Sequence, residues 1–355
     1  MSSFTLDDIR AAVNAGAMTE AQATKLITIA QSRQSVRDFL PEEDEPFEFF
    51  KGFSEIFVTV GLGLLFAGVL AITVVLGSGA IVPFAGMALC WVFAMYFTAR
   101  RRMSLPSIAL AAGFGIFLAF GVALTIGPET EAAGIAVGLI GMAAMALYYR
   151  VFKLPFSMFV LGVFGLIFVF SVINHFTHTV PSIFFLTSDL FDLGNGTYLA
   201  YGSLVFGIAA FLAGLYFDLR DPHRISRFSA SGFWLHILAA PALVNTIAMS
   251  LFNVGGTVGY SLTALALLLV TIVALVIDRR SFLTAGIGYV GVLILYALQN
   301  STNEETSFVA TLLILGVFIT ALGTWWVQIR ASLMRALPDF PLKDRLPPYT
   351  SANPE

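Results

Sequence analysis

Charge is what this sequence has least of. Only 12% of its 355 residues are Asp, Glu, Lys or Arg, against 58% hydrophobic residues and a mean hydropathy of +0.87, a balance too apolar for a soluble domain of this length. Cysteine is nearly absent too. Cys90 stands alone within an apolar run, which excludes an intrachain disulfide and any multi-cysteine metal centre. A net charge of -3 supplies no basic surface for nucleic acid. The first 50 residues hold no basic start, apolar centre and small-residue cleavage site in succession, so no cleaved signal peptide is expected and the first span directs insertion. There is no Ser/His/Asp triad, phosphate loop, paired catalytic carboxylates or cofactor motif. Neither an enzyme nor a cofactor is therefore expected.

What is present is long apolar runs. A helix needs roughly 20 apolar residues to cross the hydrocarbon core, and ten such stretches predict an all-α, polytopic transmembrane helix bundle. They lie near 55–77, 80–98, 105–126, 132–149, 155–174, 198–217, 229–252, 258–277, 282–299 and 307–328. Charge placement tests the count independently. Arg100 to Arg102 follow span two, Arg150 and Lys153 span four, Arg220, Arg224 and Arg227 span six, and Arg279 and Arg280 span eight. The remaining basic residues precede span one or follow span ten, so all 19 fall on one side. The other side carries only acids such as Glu129, Glu131, Asp189, Asp192, Glu304 and Glu305. The positive-inside rule then puts both termini in the cytoplasm, which implies a cytoplasmic (inner) membrane protein.

Outside the spans, Thr5 with Asp8 and Thr19 with Gln22 form capping patterns for two short helices, so residues 1–40 predict a cytosolic helical hairpin. It serves as a solubilising cap or as a docking element for a protein partner. Residues 41–54 read as an acidic hinge, Pro41 to Pro46, and an interfacial Phe-rich segment. Spans one to five occupy 55–174, an outer loop 175–197, spans six to ten 198–328, and a Pro-rich cytosolic tail 329–355, extended from Pro338. Trp325 and Trp326 are expected at the inner interface.

Two internal arrangements stay open. Leu65-Phe66-Ala67-Gly68 resembles Phe211-Leu212-Ala213-Gly214, Ala133-Gly134-Ile135 resembles Ala285-Gly286-Ile287, and Leu161-Gly162-Val163-Phe164 equals Leu315-Gly316-Val317-Phe318. These matches suggest an inverted five-plus-five repeat. Against it, basic turns leading into Ser104-Leu105-Pro106, Leu154-Pro155-Phe156 and Ser281-Phe282-Leu283 suggest stacked helical hairpins.

No charged residue falls at the centre of a span, and Glu55, Asp218 and Asp278 at span ends read as interfacial carboxylates open to headgroups or water. Span seven is the most polar inside. His236, Pro241 and Asn245 there, with Tyr289, Tyr296 and Gln299 of span nine, are candidates for a polar cavity; interhelical bonding and packing are the competing roles. His236 and Asn245 lie nine residues apart, about 180° opposed on a straight helix, so sharing a site requires a bend at Pro241. A metal site can be drawn from His175, His178, Asp189 and Asp192, but polar outer-loop residues account for them better and no metal is expected.

The phrase Asn14 to Ala23, NAGAMTEAQA, ahead of many short-looped spans, resembles uncharacterised bacterial polytopic membrane proteins with a cytosolic N-terminal helical hairpin. The ten-span plan is also similar, in topology alone, to the drug/metabolite transporter superfamily. Two functions follow as expectations. One is a transporter-like bundle moving a small-molecule solute, neutral or lipophilic; the other is a non-catalytic scaffold or accessory subunit docking a partner through residues 1–40.

Overall fold

The computed structural model describes residues 52–349 except 78, 178–190, 196–197, 223, 225, 300–303 and 348, with four isolated positions (12, 15, 17 and 22) before them; the side chains of 195, 296, 297, 299, 304–308 and 344 are outside the description. The chain divides into two units, Met1–Glu48 and Phe49–Glu355, and only the second is described at length. The hairpin expected over 1–40, the partner docking expected of it and the acidic hinge fall outside the described residues.

The described residues are helical, with no strand among them. We number the helices α1 (Phe53–Val75), α2 (Ile81–Ala94, continued by a π turn Met95–Arg100), α3 (Ser104–Ile126), α4 (Glu131–Phe152), α5 (Phe156–Thr177), α6 (Tyr198–Asp218), α7 (Arg227–Phe252), α8 (Gly256–Ile277), α9 (Ser281–Gln299), α10 (Glu304–Thr324) and α11 (Trp326–Ala336). α1 to α8 are each long and apolar enough to cross a membrane, and α10 with α11 would make a ninth span if the bent pair is one. In α9 the described apolar stretch, Ser281–Leu295, is shorter. Large apolar side chains such as Leu64, Val74, Ile81 and Val317 cover the outside at 70% exposure or more. The chain is a multi-pass integral membrane protein, its backbone polar groups satisfied within helices as lipid requires.

Local chemistry ends the helices where the sequence allows. Lys153 caps α4 in the left-handed conformation, and Leu154-Pro155 cannot continue it. Ser226 caps α7, its hydroxyl accepting from the Phe228 N–H at 3.2 Å. Glu55 is not the interfacial carboxylate its position suggests. It is 4% exposed and accepts the backbone N–H groups of Ser104 and Leu105, both at 3.1 Å, tying the start of α1 to the positive end of α3.

The span expected over 307–328 breaks at Trp325, and α11 leaves α10 at 70°. Two interactions hold it there. Trp326 is 2% exposed and donates to Asp278 at 2.7 Å, instead of marking an interface, and Arg330 donates to the Leu275 carbonyl at 2.9 Å and to the Pro347 carbonyl at 2.7 Å. α11 carries the helix to Ala336, short of Pro338, from which the tail is expected to be extended.

Two large hydrophobic cores form among the described residues, with a smaller cluster around Phe170 and Leu199. One joins α1 to α5 around Leu110, Phe117, Met145 and Phe164, and the other joins α6 to α9 and α11 around Ala239, Val244, Leu275 and Trp326. α5 lines both. Gly138 shows how close α4 and α5 approach, since a Cβ there would stand 2.7 Å from the Phe168 Cα. The main neighbours of α3 are α1, α2, α4 and α5; those of α7 are α5, α6, α8 and α9. α1 also packs on α2, and α4 on α5; in the same way α5 packs on α6, and α8 on α9. This pattern of neighbours thus recurs at a spacing of four helices.

Candidate functional site

α7 carries hydrogen-bonding side chains toward both ends, and each end enters a buried cluster. At the Arg-bearing end the centre is Asp218, the last residue of α6. Arg279, in the turn between α8 and α9, grips its carboxylate with two donors, Nε to Oδ2 at 3.0 Å and Nη2 to Oδ1 at 2.5 Å. This is the planar, two-pronged geometry at which Arg excels. His236 reaches the same carboxylate, Nε2 to Oδ2 at 2.9 Å, and because the carboxylate only accepts, Nε2 is the nitrogen that carries hydrogen. Arg279 Nη2 also donates to the Ser229 carbonyl at 2.9 Å and hydroxyl at 3.2 Å.

These groups are shut away from solvent: Asp218 is 5%, Arg279 2% and His236 0% exposed. Glycine makes the room. Gly214 lies under the imidazole, and a Cβ on Gly232 would strike the Asp218 carboxylate. The rings of Phe211 and Phe282 flank His236, each with its centroid at 5.6 Å. The reading of Asp218 and Asp278 as interfacial carboxylates is thereby corrected. An isolated charge buried here would cost several kcal/mol, and opposite charges from neighbouring helix ends offset that cost by pairing.

Asp278, one residue before Arg279, faces the other way. Its carboxylate accepts from Trp326 at 2.7 Å and pairs with Arg224 at 3.1 Å, with Arg330 at 3.7 Å. It caps α8 in the left-handed conformation, φ 57°, which sends the adjacent side chains to opposite partners.

At the far end of α7, Asp192 is 2% exposed and accepts from Asn253 Nδ2 at 2.6 Å and from the Gly194 N–H at 2.8 Å. Ser250 accepts from the Leu193 N–H at 2.9 Å, and the Thr246 hydroxyl lies 3.3 Å from that of Ser203 on α6. Thr246 lies ten positions beyond His236, about 15 Å along the helix, and the buried side chains between them are Ala239, Ala240, Ala242 and Val244. Two polar ends are separated by a stretch of small apolar residues.

Of the candidate cavity residues whose side chains are described, His236 alone enters one of these polar clusters. α7 runs continuously through Pro241, and Asn245 is half-buried away from His236. Tyr289 packs half-buried against the second core. Tyr296 and Gln299 lie on the backbone of α9 with side chains outside the described residues. His175 pairs with Glu131 at 2.8 Å and Asp192 is bound to Asn253, while His178 and Asp189 fall outside the described residues. No group of His, Cys, Asp and Glu that could hold a metal occurs among the described residues. The pairing of Asp218 with Arg279, which sequence reading does not give, has one signal available: acids and arginines stand at successive helix ends on the same side, where they can meet. The bond of Asp192 to Asn253 has no such signal.

No protein-family model, curated protein or solved structure matches this chain.

Proposed function

We propose that this membrane protein is a transporter-like bundle of ten spans, seated in a bacterial inner membrane with both termini in the cytoplasm, that moves a neutral or lipophilic solute along α7. The supporting observation is a contrast between two helices in equivalent surroundings. α3 and α7 stand in the same neighbour pattern four helices apart. Backbone details follow the same spacing. Arg102 before α3 and Arg224 before α7 both have positive φ, as do Lys153 ending α4 and Asp278 ending α8. So does the sequence, with Tyr96-Phe97-x-x-Arg100 ending α2 and Tyr216-Phe217-x-x-Arg220 ending α6.

This supports overlapping stacked hairpins, running in one direction, over an inverted five-plus-five arrangement. In that register Thr98 and Phe114 correspond to Asp218 and His236. α3 packs through Leu110, Phe114, Phe117 and Leu118, all buried and apolar. Packing alone therefore does not demand the polarity of α7, and in lipid such polarity marks function.

The alternative, a non-catalytic scaffold docking a partner through residues 1–40, draws support from the closed state of the two polar ends, each bonded within itself. Labelling separates the two. On a Cys90→Ala background, single cysteines at Ser231, Ala240 and Thr246 are treated with a membrane-impermeant maleimide from either side of oriented vesicles, with exposed Ser226→Cys as control. Transport along α7 predicts Ser231→Cys reacting from the cytoplasmic side, Thr246→Cys from the other and Ala240→Cys slowly from both. Reaction of the control alone would sink the transporter reading.

A further inference from the structure

We propose that the cleft between α8, α9 and α10 is a binding site for an anionic phospholipid, with an acyl chain in the cleft and the phosphate at Arg280. The cleft encloses about 150 Å³ and its walls are Leu267 and Val270 of α8, Leu283 and Ile287 of α9, and Phe318 and Leu322 of α10. A partly open cleft lined by such side chains offers water few partners and accepts apolar guests. Its occupant is therefore apolar along most of its length.

The mouth is different. Arg280 lines the Arg-bearing end, exposed, its guanidinium 5.5 Å from the centroid of the Trp326 ring. From Arg280 to Val290, the far end of the lining on α9, is ten residues, about 15 Å. That is the depth of one leaflet of a hydrocarbon core about 30 Å thick. An apolar slot one leaflet deep with a fixed cation at the headgroup level is complementary to an anionic amphiphile of the same leaflet, and basic pockets between helices recognise such headgroups. Gly323 is part of the lining, and a Cβ there would meet no atom within 4 Å, so a larger side chain at this position meets no clash at its Cβ.

The probe is a single-tryptophan protein that keeps Trp326, which lines the cleft, with Trp91→Phe, Trp234→Phe and Trp325→Phe. It is reconstituted in phosphatidylcholine vesicles doped with chain-brominated phosphatidylglycerol or chain-brominated phosphatidylcholine. The anionic lipid is expected to quench Trp326 at a mole fraction about fivefold lower, the preference one basic residue gives. Arg280→Gln should abolish the preference while chain contact remains. Gly323→Leu should weaken quenching by both lipids, and inorganic phosphate should leave it unchanged. Equal quenching by the two lipids in the parent protein, or a preference that survives Arg280→Gln, overturns the proposal. Displacement by phosphate would assign Arg280 to a free anion instead and would equally overturn it.

Discussion

Removing either charge of the Asp218–Arg279 pair should be far more damaging than removing both. Asp218→Asn leaves a guanidinium that is 2% exposed facing a neutral amide, and Arg279→Met leaves a carboxylate that is 5% exposed with His236 as its remaining charged-side neighbour. An uncompensated buried charge costs about 3–5 kcal/mol, so each single variant should lose that amount. The double variant Asp218→Asn/Arg279→Met buries no unpaired charge, and its destabilisation should match or fall below that of either single. The coupling is then at least about 3–5 kcal/mol, at or above the upper range for residues in direct contact. Thermal unfolding of purified protein in one detergent, followed by tryptophan fluorescence, reads the cycle. At about 2–4 °C per kcal/mol the singles should melt roughly 6–20 °C below the parent. Two singles within about 1 kcal/mol of the parent, or a double variant whose loss equals their sum, would refute the reasoning.

Two further outcomes test the packing. Gly138→Leu drives a side chain into the Phe168 backbone and should cost at least about 1–3 kcal/mol, seen as loss of monodisperse protein in detergent; Gly61→Leu, with no atom within 4 Å of its Cβ, should elute like the parent. Arg330→Met removes the bonds to the Leu275 and Pro347 carbonyls, so limited trypsinolysis at Lys343 and Arg345 should accelerate several-fold. Unchanged cleavage would show that Arg330 does not hold that segment.

The helices were legible because lipid leaves so few options. Apolar length and one-sided arginines place α1 to α9 within a few residues of where they lie. The break at Trp325 is not legible, because Gly323 and Thr324 lower helix propensity only modestly and Gly316 does so within α10 without a break; Trp326 and Arg330 make the bend by finding Asp278 and Leu275, which are distant in sequence. The same holds for the site. That α7 is polar can be read from its residues, but a carboxylate at a helix end looks the same in sequence whether it meets water or an arginine. Asp218 was read as wet and is dry because the turn after α8 delivers Arg279 to it. The four-helix spacing lies in which helices touch, a property of pairs, whereas the short matches between Leu65 to Gly68 and Phe211 to Gly214 compare residues one by one.

The turn at Asp278 and Arg279 also has a mechanical meaning. Asp278 is held by α11 and Arg224, Arg279 by α6 and α7, and one peptide plane joins the two. The helix nearest the C-terminal segment and the polar helix at the centre of the second core are far apart along the chain, yet two adjacent residues anchor both.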